Sequence, residues 1–272
     1  MPSGANQAAH PDRIERFEHH GGTLIDEALG PPVARHIVFL HGWGANRDSL
    51  RGIAGLFEPT HRVHLLDLPG FGEAPLPPSA WSTVDYTDLV AQYLADRIDG
   101  TLVLVGHSFG ARVSIRLGAR RLSRVRGIVL MAAPGLPVEP FSRAAWRRLG
   151  IRSLRQVLRA TSGLTGPGPL AWHTRRFGSK DYLAAGALKD VLVRVVNEDL
   201  TDCASAIECP VLLLWGSDDR ETPPSLAYRF RALLDGRATL EILPHKDHYL
   251  YSGTGGHLCA FKIRSWLDHV AW

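Results

Sequence analysis

The sequence predicts an α/β protein built on a mostly parallel, doubly wound sheet, and two observations support this. Short apolar runs typical of buried strands alternate with segments of helical periodicity through the first half of the 272-residue chain. The pentapeptide Gly106-His107-Ser108-Phe109-Gly110 then stands between an apolar run at 102–105 and a helical pattern. In such a sheet, functional groups lie on loops at the carboxyl ends of the strands, and the polar motifs of this chain follow predicted strands.

The predicted elements of the core follow one another in a regular order. A strand pair is expected first, joined by Gly21 and Gly22, at residues 14–19 and 23–28. Further strands are predicted at 36–40, 62–66, 102–105, 127–131 and 209–214, and from residue 240. Helices are predicted around 83–96 and 109–122. This alternation implies that helices cover both faces of the sheet.

The pattern changes in the middle of the chain. Residues 136–203 are helical in character and rich in arginine, and they contain enough aromatic and aliphatic side chains to bury against a core. We predict that they form a helical cap inserted into an α/β core made of residues 13–135 and 204–272. Residues 1–12 are predicted to be a disordered leader.

Composition narrows the class of protein. Hydrophobic residues make up 45% of the chain and charged residues 21%, which is ordinary for a globular protein. The net charge is +4, but no basic cluster interleaved with aromatic residues is present, so we expect no nucleic-acid partner. We expect no signal peptide, and the sequence contains no apolar run of membrane-spanning length. The three cysteines lack metal-ligand spacing, which favours reduced thiols, a cytoplasmic location and no bound metal.

Two groups of arginines have alternative interpretations. Arg112, Arg116 and Arg120 recur every four residues after the pentapeptide, and we interpret this row as a solvated or partner-facing surface. The predicted cap carries a second group, which forms either a solvated helix face or contacts to an anionic substrate. Its members are Arg143, Arg147, Arg148, Arg152, Arg155 and Arg159.

The turn at residues 106–110 places a serine where acyl-transfer chemistry needs one. Its spacing is that of a nucleophile elbow, in which Ser108 adopts a strained backbone conformation. Gly106 and Gly110 must lack side chains there, because the strand and the helix approach closely. The hydroxyl is thereby exposed at a helix N-terminus, where backbone N–H groups can stabilise an oxyanion.

A serine hydroxyl needs a histidine base that is itself oriented by a carboxylate. Two later loops offer these groups. Asp218 and Asp219 follow the strand predicted at 209–214, and His245 and His248 follow the strand that begins at 240. Taken alone, these residues leave open which aspartate and which histidine would act.

Five motifs together resemble the capped serine hydrolases of the α/β-hydrolase fold, including bacterial esterase-like members, over about residues 14–266. They are His41-Gly42-Trp43-Gly44, Asp67-Leu68-Pro69-Gly70-Phe71-Gly72, the elbow, Trp215-Gly216-x-x-Asp219, and His248. The resemblance implies an α/β-hydrolase sheet with an inserted helical cap. It also implies that Ser108 is the nucleophile, Asp219 the acid and His248 the base, with Asp218 and His245 as the alternatives.

The same resemblance implies an oxyanion hole formed by the backbone N–H groups of Trp43 and Phe109. Two residues around it have open roles. The indole of Trp43 either lines the acyl pocket or serves only for packing. His41 is interpreted as a structural loop histidine, with a second catalytic base as the alternative.

The function implied is that of a carboxylesterase that cleaves small to medium esters through an acyl-enzyme, without a cofactor, as a monomer or homodimer. One alternative is a carbon–carbon bond hydrolase of diketone-like substrates, although such relatives often carry a Gly-x-Gly-Pro-Gly motif that residues 42–46 lack. A second alternative is a non-catalytic ligand-binding homologue. Haloalkane dehalogenation and epoxide hydrolysis are disfavoured, because relatives of those types have Asp where this chain has Ser108.

Overall fold

The computed structural model describes residues 13–33, 35–137 and 180–270, with short pieces at 153–154, 156–161 and 168–169. The predicted leader, residues 1–12, lies outside these ranges. Within them, one sheet contains eight strands in the order β1-β2-β4-β3-β5-β6-β7-β8. The strands are β1 (Arg13–His19), β2 (Gly22–Leu29), β3 (Arg35–Leu40), β4 (Arg62–Asp67), β5 (Thr101–His107), β6 (Val125–Met131), β7 (Val211–Gly216) and β8 (Ala238–Leu243).

The sheet is antiparallel at one edge and parallel elsewhere. β2 pairs antiparallel with both β1 and β4, and every other neighbouring pair runs parallel. The predicted strand pair and the mostly parallel sheet are therefore confirmed. The parallel strands all end at the same edge, so the loops after β3, β5, β7 and β8 lie along that edge.

Helices pack on both faces of this sheet. In β3, Val38 and Leu40 belong to the apolar cluster under α2, α3 and α7, while Ile37 and Phe39 belong to the cluster under α1 and α8. This alternation is the two-residue period of a strand that is buried on both sides. The described helices are α1 (Arg51–Ala54), α2 (Thr83–Arg97), α3 (Phe109–Ala119), α4 (Lys180–Ala184), α5 (Lys189–Asn197), α6 (Thr201–Ser205), α7 (Pro224–Leu233) and α8 (Gly255–Leu267), with short 3₁₀ segments at Arg47–Leu50 and Gly186–Leu188.

The predicted cap lies only partly within the described residues. Its last part contains α4, α5 and the start of α6, and α5 buries Val191, Leu192 and Val195. Leu188 packs against the loop after β4, where a Cβ atom on Gly70 would lie 2.7 Å from a methyl group of Leu188. The division at residue 136 stays a prediction, because most of 138–179 lies outside the described residues, as do all of the cap arginines except Arg159.

A buried ion cluster fixes the loop after β4. Asp67 accepts hydrogen bonds from the Arg47 guanidinium, from the backbone N–H of Arg47 at 2.7 Å and from that of Glu73 at 3.0 Å. Arg47 also lies 3.1 Å from a carboxylate oxygen of Glu27 and 3.1 Å from one of Glu73. A Cβ atom on Gly72 would lie 2.3 Å from the Asp67 carboxylate, so only glycine fits there. Asp67 therefore ties together the loops after β3 and β4.

Replacing Asp67 with asparagine is expected to lower the free energy of unfolding by about 3 kcal/mol, because it leaves the buried Arg47 charge partly uncompensated. Urea unfolding at neutral pH measures this loss. Glu73→Gln is the control: it removes another carboxylate from the same arginine, but the Glu73 side chain is 65% exposed, so its loss should be about 0.5 kcal/mol. Equal losses in the two variants would show that burial does not set the strength of this cluster.

Candidate active site

The turn between β5 and α3 holds Ser108 in a strained conformation. Its φ is +48° and its ψ is −105°, a region that residues other than glycine rarely adopt. A Cβ atom on Gly106 would lie 2.5 Å from the Ser114 Oγ atom, and one on Gly110 would lie 2.1 Å from the carbonyl oxygen of Leu40. The predicted requirement for glycine on both sides of Ser108 is confirmed.

Three loops bring the predicted serine, histidine and aspartate together. The Oγ atom of Ser108 lies 3.0 Å from Nε2 of His248, and Nδ1 of His248 lies 2.9 Å from Oδ2 of Asp219. His248 and Asp219 are buried, whereas Ser108 is partly exposed. When the Nδ1–H group donates to the carboxylate, Nε2 carries a lone pair that can accept the serine proton.

The alternative residues lie on the same loops but point elsewhere. Asp218 is exposed and accepts a hydrogen bond from the hydroxyl of Ser217 at 2.9 Å. His245 is exposed, and its backbone N–H donates to the same Ser217 hydroxyl at 2.9 Å. This geometry favours Asp219 and His248 over Asp218 and His245.

Thr222 supports the buried carboxylate and was missed by the sequence analysis. Its backbone N–H and that of Glu221 donate to Oδ1 of Asp219 at 2.8 and 2.9 Å, and its hydroxyl donates to Oδ2 at 2.7 Å. Burial raises the pKa of Asp219, but the hydrogen bonds from His248 and Thr222 outweigh burial and lower it. Asp219 is therefore a carboxylate at neutral pH. The Asp-x-x-Thr spacing, typical of a side-chain-capped turn, was the available signal.

Two further carboxylates act on the imidazole. Burial opposes protonation of His248, but the hydrogen bond and charge of Asp219 outweigh it and raise the pKa, with further contributions from Glu221 and Asp181. An Oε2 atom of Glu221 lies 3.6 Å from Nε2 of His248. The sequence analysis missed both residues, because nothing in their local sequence indicates contact with the base.

Replacing Glu221 with glutamine should move the acidic limb of the pH–rate profile to lower pH. The imidazole of His248 can accept a proton only in its neutral form, so we expect kcat/KM to fall as the pH drops through the pKa of His248. Removing a nearby negative charge lowers that pKa, so activity persists to lower pH. The profile for a neutral ester, measured from about pH 4.5 to about pH 9, shows the shift. Asp218→Asn should leave the limb in place, and an unmoved limb in Glu221→Gln would contradict the role of Glu221.

The loop after β3 runs directly beside the elbow. A Cβ atom on Gly42 would lie 2.6 Å from Nδ1 of His107 and 3.5 Å from the Cβ atom of Ser108. The N–H of Gly110 donates to the carbonyl oxygen of His41 at 3.0 Å, which locks this loop to the start of α3. The main chain that follows Gly42 is therefore held next to the serine.

His41 fixes the conformation of the same loop. It is fully buried; Nδ1 donates to the carbonyl oxygen of Gly42 at 2.7 Å, and Nε2 accepts the N–H of Leu68 at 3.1 Å. Burial lowers its pKa, so both nitrogens are engaged in a neutral ring. These bonds favour the structural interpretation over a second base.

Of the two N–H groups predicted for the oxyanion hole, that of Trp43 lies in this loop and that of Phe109 directly follows the serine. Within the described part of the chain, neither the N–H of Trp43 nor that of Phe109 has a hydrogen-bond acceptor. The two aromatic rings contact each other edge to face, with centroids 5.5 Å apart. Both N–H groups are therefore available to a ligand oxygen.

A cavity of about 490 Å³ lies between this loop and the segment that precedes α5. Trp43, Phe71 and Leu188 form an apolar wall, and Asp181 contributes a carboxylate. The indole of Trp43 thus both packs against neighbouring rings and lines the cavity. The volume suits a small to medium organic molecule.

Among the described residues, no three His, Cys, Asp or Glu side chains are grouped so that they could hold a metal ion. In that part of the chain, none of the helices is both long and apolar enough to cross a membrane. Cys203, Cys209 and Cys259 are free thiols, and burial raises the pKa of Cys209 to about 11 and that of Cys259 to about 12. These two thiols are therefore unreactive at neutral pH.

Comparison with known proteins identifies the family. Residues 37–254 match the family model described as the alpha/beta hydrolase family. The chain belongs to this family. The matched region contains Ser108, Asp219 and His248, and it begins within β3 and extends past β8. The predicted resemblance and the predicted hydrolase class of this α/β hydrolase are confirmed.

Two curated relatives cover most of this α/β hydrolase. Pimeloyl-[acyl-carrier protein] methyl ester esterase of Nitrosomonas europaea is 28% identical over 231 residues, which cover 78% of this chain and 88% of that protein. The 2-hydroxy-6-oxo-6-(2'-aminophenyl)hexa-2,4-dienoic acid hydrolase of Metapseudomonas resinovorans is 25% identical over 263 residues, which cover 87% and 85%. The relatives thus include an ester hydrolase and a dienoic acid hydrolase.

Solved structures share the fold over almost the whole chain. A membrane phospholipase A described as a bacterial virulence factor has a TM-score of 0.73 at 22% identity, covering 95% of this chain and 86% of that chain. A thermophilic esterase from Thermogutta terrifontis has a TM-score of 0.69 at 20% identity, covering 94% and 98%. These similarities confirm the predicted α/β-hydrolase fold.

Proposed function

We propose that this α/β hydrolase cleaves carboxylic esters of small to medium size through a covalent acyl-enzyme on Ser108. One observation carries the proposal: the chain of hydrogen bonds from Ser108 through His248 to Asp219, with lengths of 3.0 and 2.9 Å. The ester esterase among the relatives supports the bond type. Esters also suit such a site because their leaving groups need little assistance.

In the first half of the reaction, His248 Nε2 accepts the hydroxyl proton of Ser108 while Oγ attacks the ester carbonyl carbon. The carbonyl oxygen becomes an oxyanion, which the N–H groups of Trp43 and Phe109 stabilise. The imidazolium then donates its proton to the alkoxide, which leaves as the alcohol. Asp219 stabilises the imidazolium through its hydrogen bond to Nδ1.

In the second half, water resolves the acyl-enzyme. His248 removes a proton from the water, which attacks the acyl carbon, and the same two N–H groups hold the second oxyanion. The oxyanion collapses, the bond to Ser108 breaks, and His248 returns the proton to Oγ. The carboxylic acid product then dissociates.

A carbon–carbon bond hydrolase is the second candidate. The observation that favours it is the dienoic acid hydrolase, whose match covers 87% of this chain. Its substrate name includes an oxo group, and the arrangement of residues around Ser108 fits attack on a ketone as well as on an ester. Rates on a series of p-nitrophenyl esters, measured beside a vinylogous diketone, discriminate the two functions.

We also propose that residues 136–203 form a cap over the site, and that the protein works in the cytoplasm as a monomer or homodimer. The cavity supports the cap, because Asp181 and Leu188 of that segment line it together with Trp43 of the core. Free thiols support a reducing compartment. Size-exclusion chromatography with light scattering tests the oligomeric state.

Labelling with a fluorophosphonate probe tests the proposed function. We expect one adduct on Ser108 of the folded protein, located by peptide mass spectrometry, and none after heat denaturation or in Ser108→Ala. Ser217→Ala removes an exposed hydroxyl on a neighbouring loop and should label like the unmodified protein. A folded protein whose Ser108 stays unlabelled would remove the basis of the enzyme proposal, and the non-catalytic alternative would take its place.

A further inference from the structure

The wall of the cavity contains a half-buried carboxylate that has no basic partner in the described part of the chain. Asp181 lies on α4 and lines the cavity together with Trp43 and Phe71. Burial raises its pKa, and the charged group among the described residues that opposes this effect is the imidazole of His248. A carboxylate placed against apolar walls in this way gains most from a cation brought by a ligand.

A second carboxylate stands close to the reacting atoms. Oε2 of Glu221 lies 3.6 Å from Nε2 of His248, the nitrogen that faces Ser108. Its side chain is 55% exposed, so its charge is more strongly screened than that of Asp181. The two carboxylates nevertheless act on one imidazole, and both favour a positive charge at that position.

Aromatic rings complete the surroundings that a cation would meet. Trp43 and Phe71 contact each other edge to face in the cavity wall, with centroids 5.0 Å apart. Tyr249 is 44% exposed and its ring lies 5.5 Å from that of His248. Aromatic faces attract ammonium groups, including quaternary ones that cannot donate a hydrogen bond.

We propose that Asp181 and Glu221 make the enzyme selective for esters that carry an ammonium group near the reacting carbonyl. Such esters are preferred over neutral esters of the same shape, and esters with a free carboxylate at that place are disfavoured. This inference rests on the proposed ester hydrolysis and adds the charge class of its substrate. The physical basis is the Coulomb attraction of two carboxylates in a partly desolvated site, with the aromatic wall contributing to it.

A matched pair of thioesters tests the selectivity. Butyrylthiocholine and 3,3-dimethylbutyl thiobutyrate have nearly the same shape, but the neutral ester has carbon in place of the charged nitrogen. The measured quantity is the ratio of their kcat/KM values at low ionic strength. We expect a ratio of about 10 in the unmodified protein. Removing either carboxylate also lowers the pKa of His248, but that effect applies to both substrates and cancels in the ratio.

Single-residue variants show which carboxylate produces the preference for the cationic thioester. Asp181→Asn should lower the ratio about fivefold, and Glu221→Gln about twofold, because the more exposed charge is better screened. Asp218→Asn removes an exposed carboxylate of the same loop and should leave the ratio unchanged. A ratio near 1 in the unmodified protein, or one that Asp181→Asn does not change, overturns the inference, while cleavage of the neutral thioester still supports ester hydrolysis.

If the proposed ester hydrolysis is wrong, neither thioester is cleaved. The preference for a cationic ligand is then tested by binding. The Kd values of the two thioesters are measured by calorimetry with Ser108→Ala, with and without Asp181→Asn. Tighter binding of butyrylthiocholine by about fivefold or more, reduced by Asp181→Asn, supports the preference for a cation. Equal affinities for the two thioesters overturn it.

Discussion

Replacing His248 with asparagine is expected to lower kcat for p-nitrophenyl butyrate by about 10⁵-fold or more, with little change in KM. Among the described residues, no side chain other than that of His248 forms a hydrogen bond with the Ser108 hydroxyl, so without the imidazole none of them is placed to accept its proton or to return it to the leaving group. Both halves of the proposed reaction depend on Nε2, which lies 3.0 Å from the serine oxygen. Steady-state kinetics with freshly purified protein measure the loss, and thermal unfolding verifies that the variant is folded.

The matched control is the other histidine of the same loop. His245 is exposed and has a φ of +56°, a left-handed conformation that asparagine tolerates well. His245→Asn should therefore stay folded and keep its kcat within about twofold, because surface substitutions rarely matter far from the reacting atoms. A large loss of activity in His245→Asn, with activity retained in His248→Asn, would reverse the assignment of the base.

The sequence was sufficient to predict the scaffold and the three side chains that the structure brings within hydrogen-bonding distance of one another, because their signals are local. The apolar run of β5, the two glycines of the elbow and the start of α3 all lie within one short segment. Their spacing predicts a close approach of the strand and the helix. The structure confirms it, because a Cβ atom added to Gly110 would lie 2.1 Å from the carbonyl oxygen of Leu40. The likeness of the later loops to family motifs then distinguished Asp219 and His248 from their neighbours.

The groups that tune the site could not be predicted, because tertiary packing alone brings them together. Glu221 approaches His248 through the convergence of the loops after β7 and β8, which contact so closely that a Cβ atom on Gly216 would lie 2.1 Å from the carbonyl oxygen of Lys246. Asp181 reaches the site from a segment whose path the sequence did not reveal. Neither the periodicity of the sequence nor a local motif indicates contacts of this kind between distant segments.

The arginine row on α3 shows the same limit. Arg112 is only 6% exposed, so the expectation of a solvated or partner-facing surface is wrong there. Burial lowers the pKa of Arg112 to about 10. Arg116 pairs with Glu198 at 3.2 Å, and Arg120 pairs with Asp88. The segment around Glu198 packs on one end of this arginine row. The sequence of α3 alone cannot show which segment packs on that helix.

Replacing Asp219 with asparagine is expected to lower kcat by about 10⁴-fold while preserving the fold. The hydrogen bonds around the Asp219 side chain explain this expected loss of activity. Oδ1 accepts two backbone N–H groups, from Glu221 and Thr222, so the asparagine oxygen must stay there. The amide nitrogen then takes the place of Oδ2, facing His248, and donates to Nδ1. The proton of the neutral imidazole moves to Nε2, which can no longer accept the proton of Ser108.

This explanation can be checked separately from the rate. In the unmodified protein, ¹⁵N NMR at a pH where His248 is neutral should show the proton on Nδ1, and in Asp219→Asn it should show the proton on Nε2. Asp218→Asn makes the same chemical change one residue earlier, at an exposed position, and should alter neither the tautomer nor kcat. A loss below about tenfold in Asp219→Asn, or a tautomer that does not change, would contradict the role of this carboxylate in orienting the base.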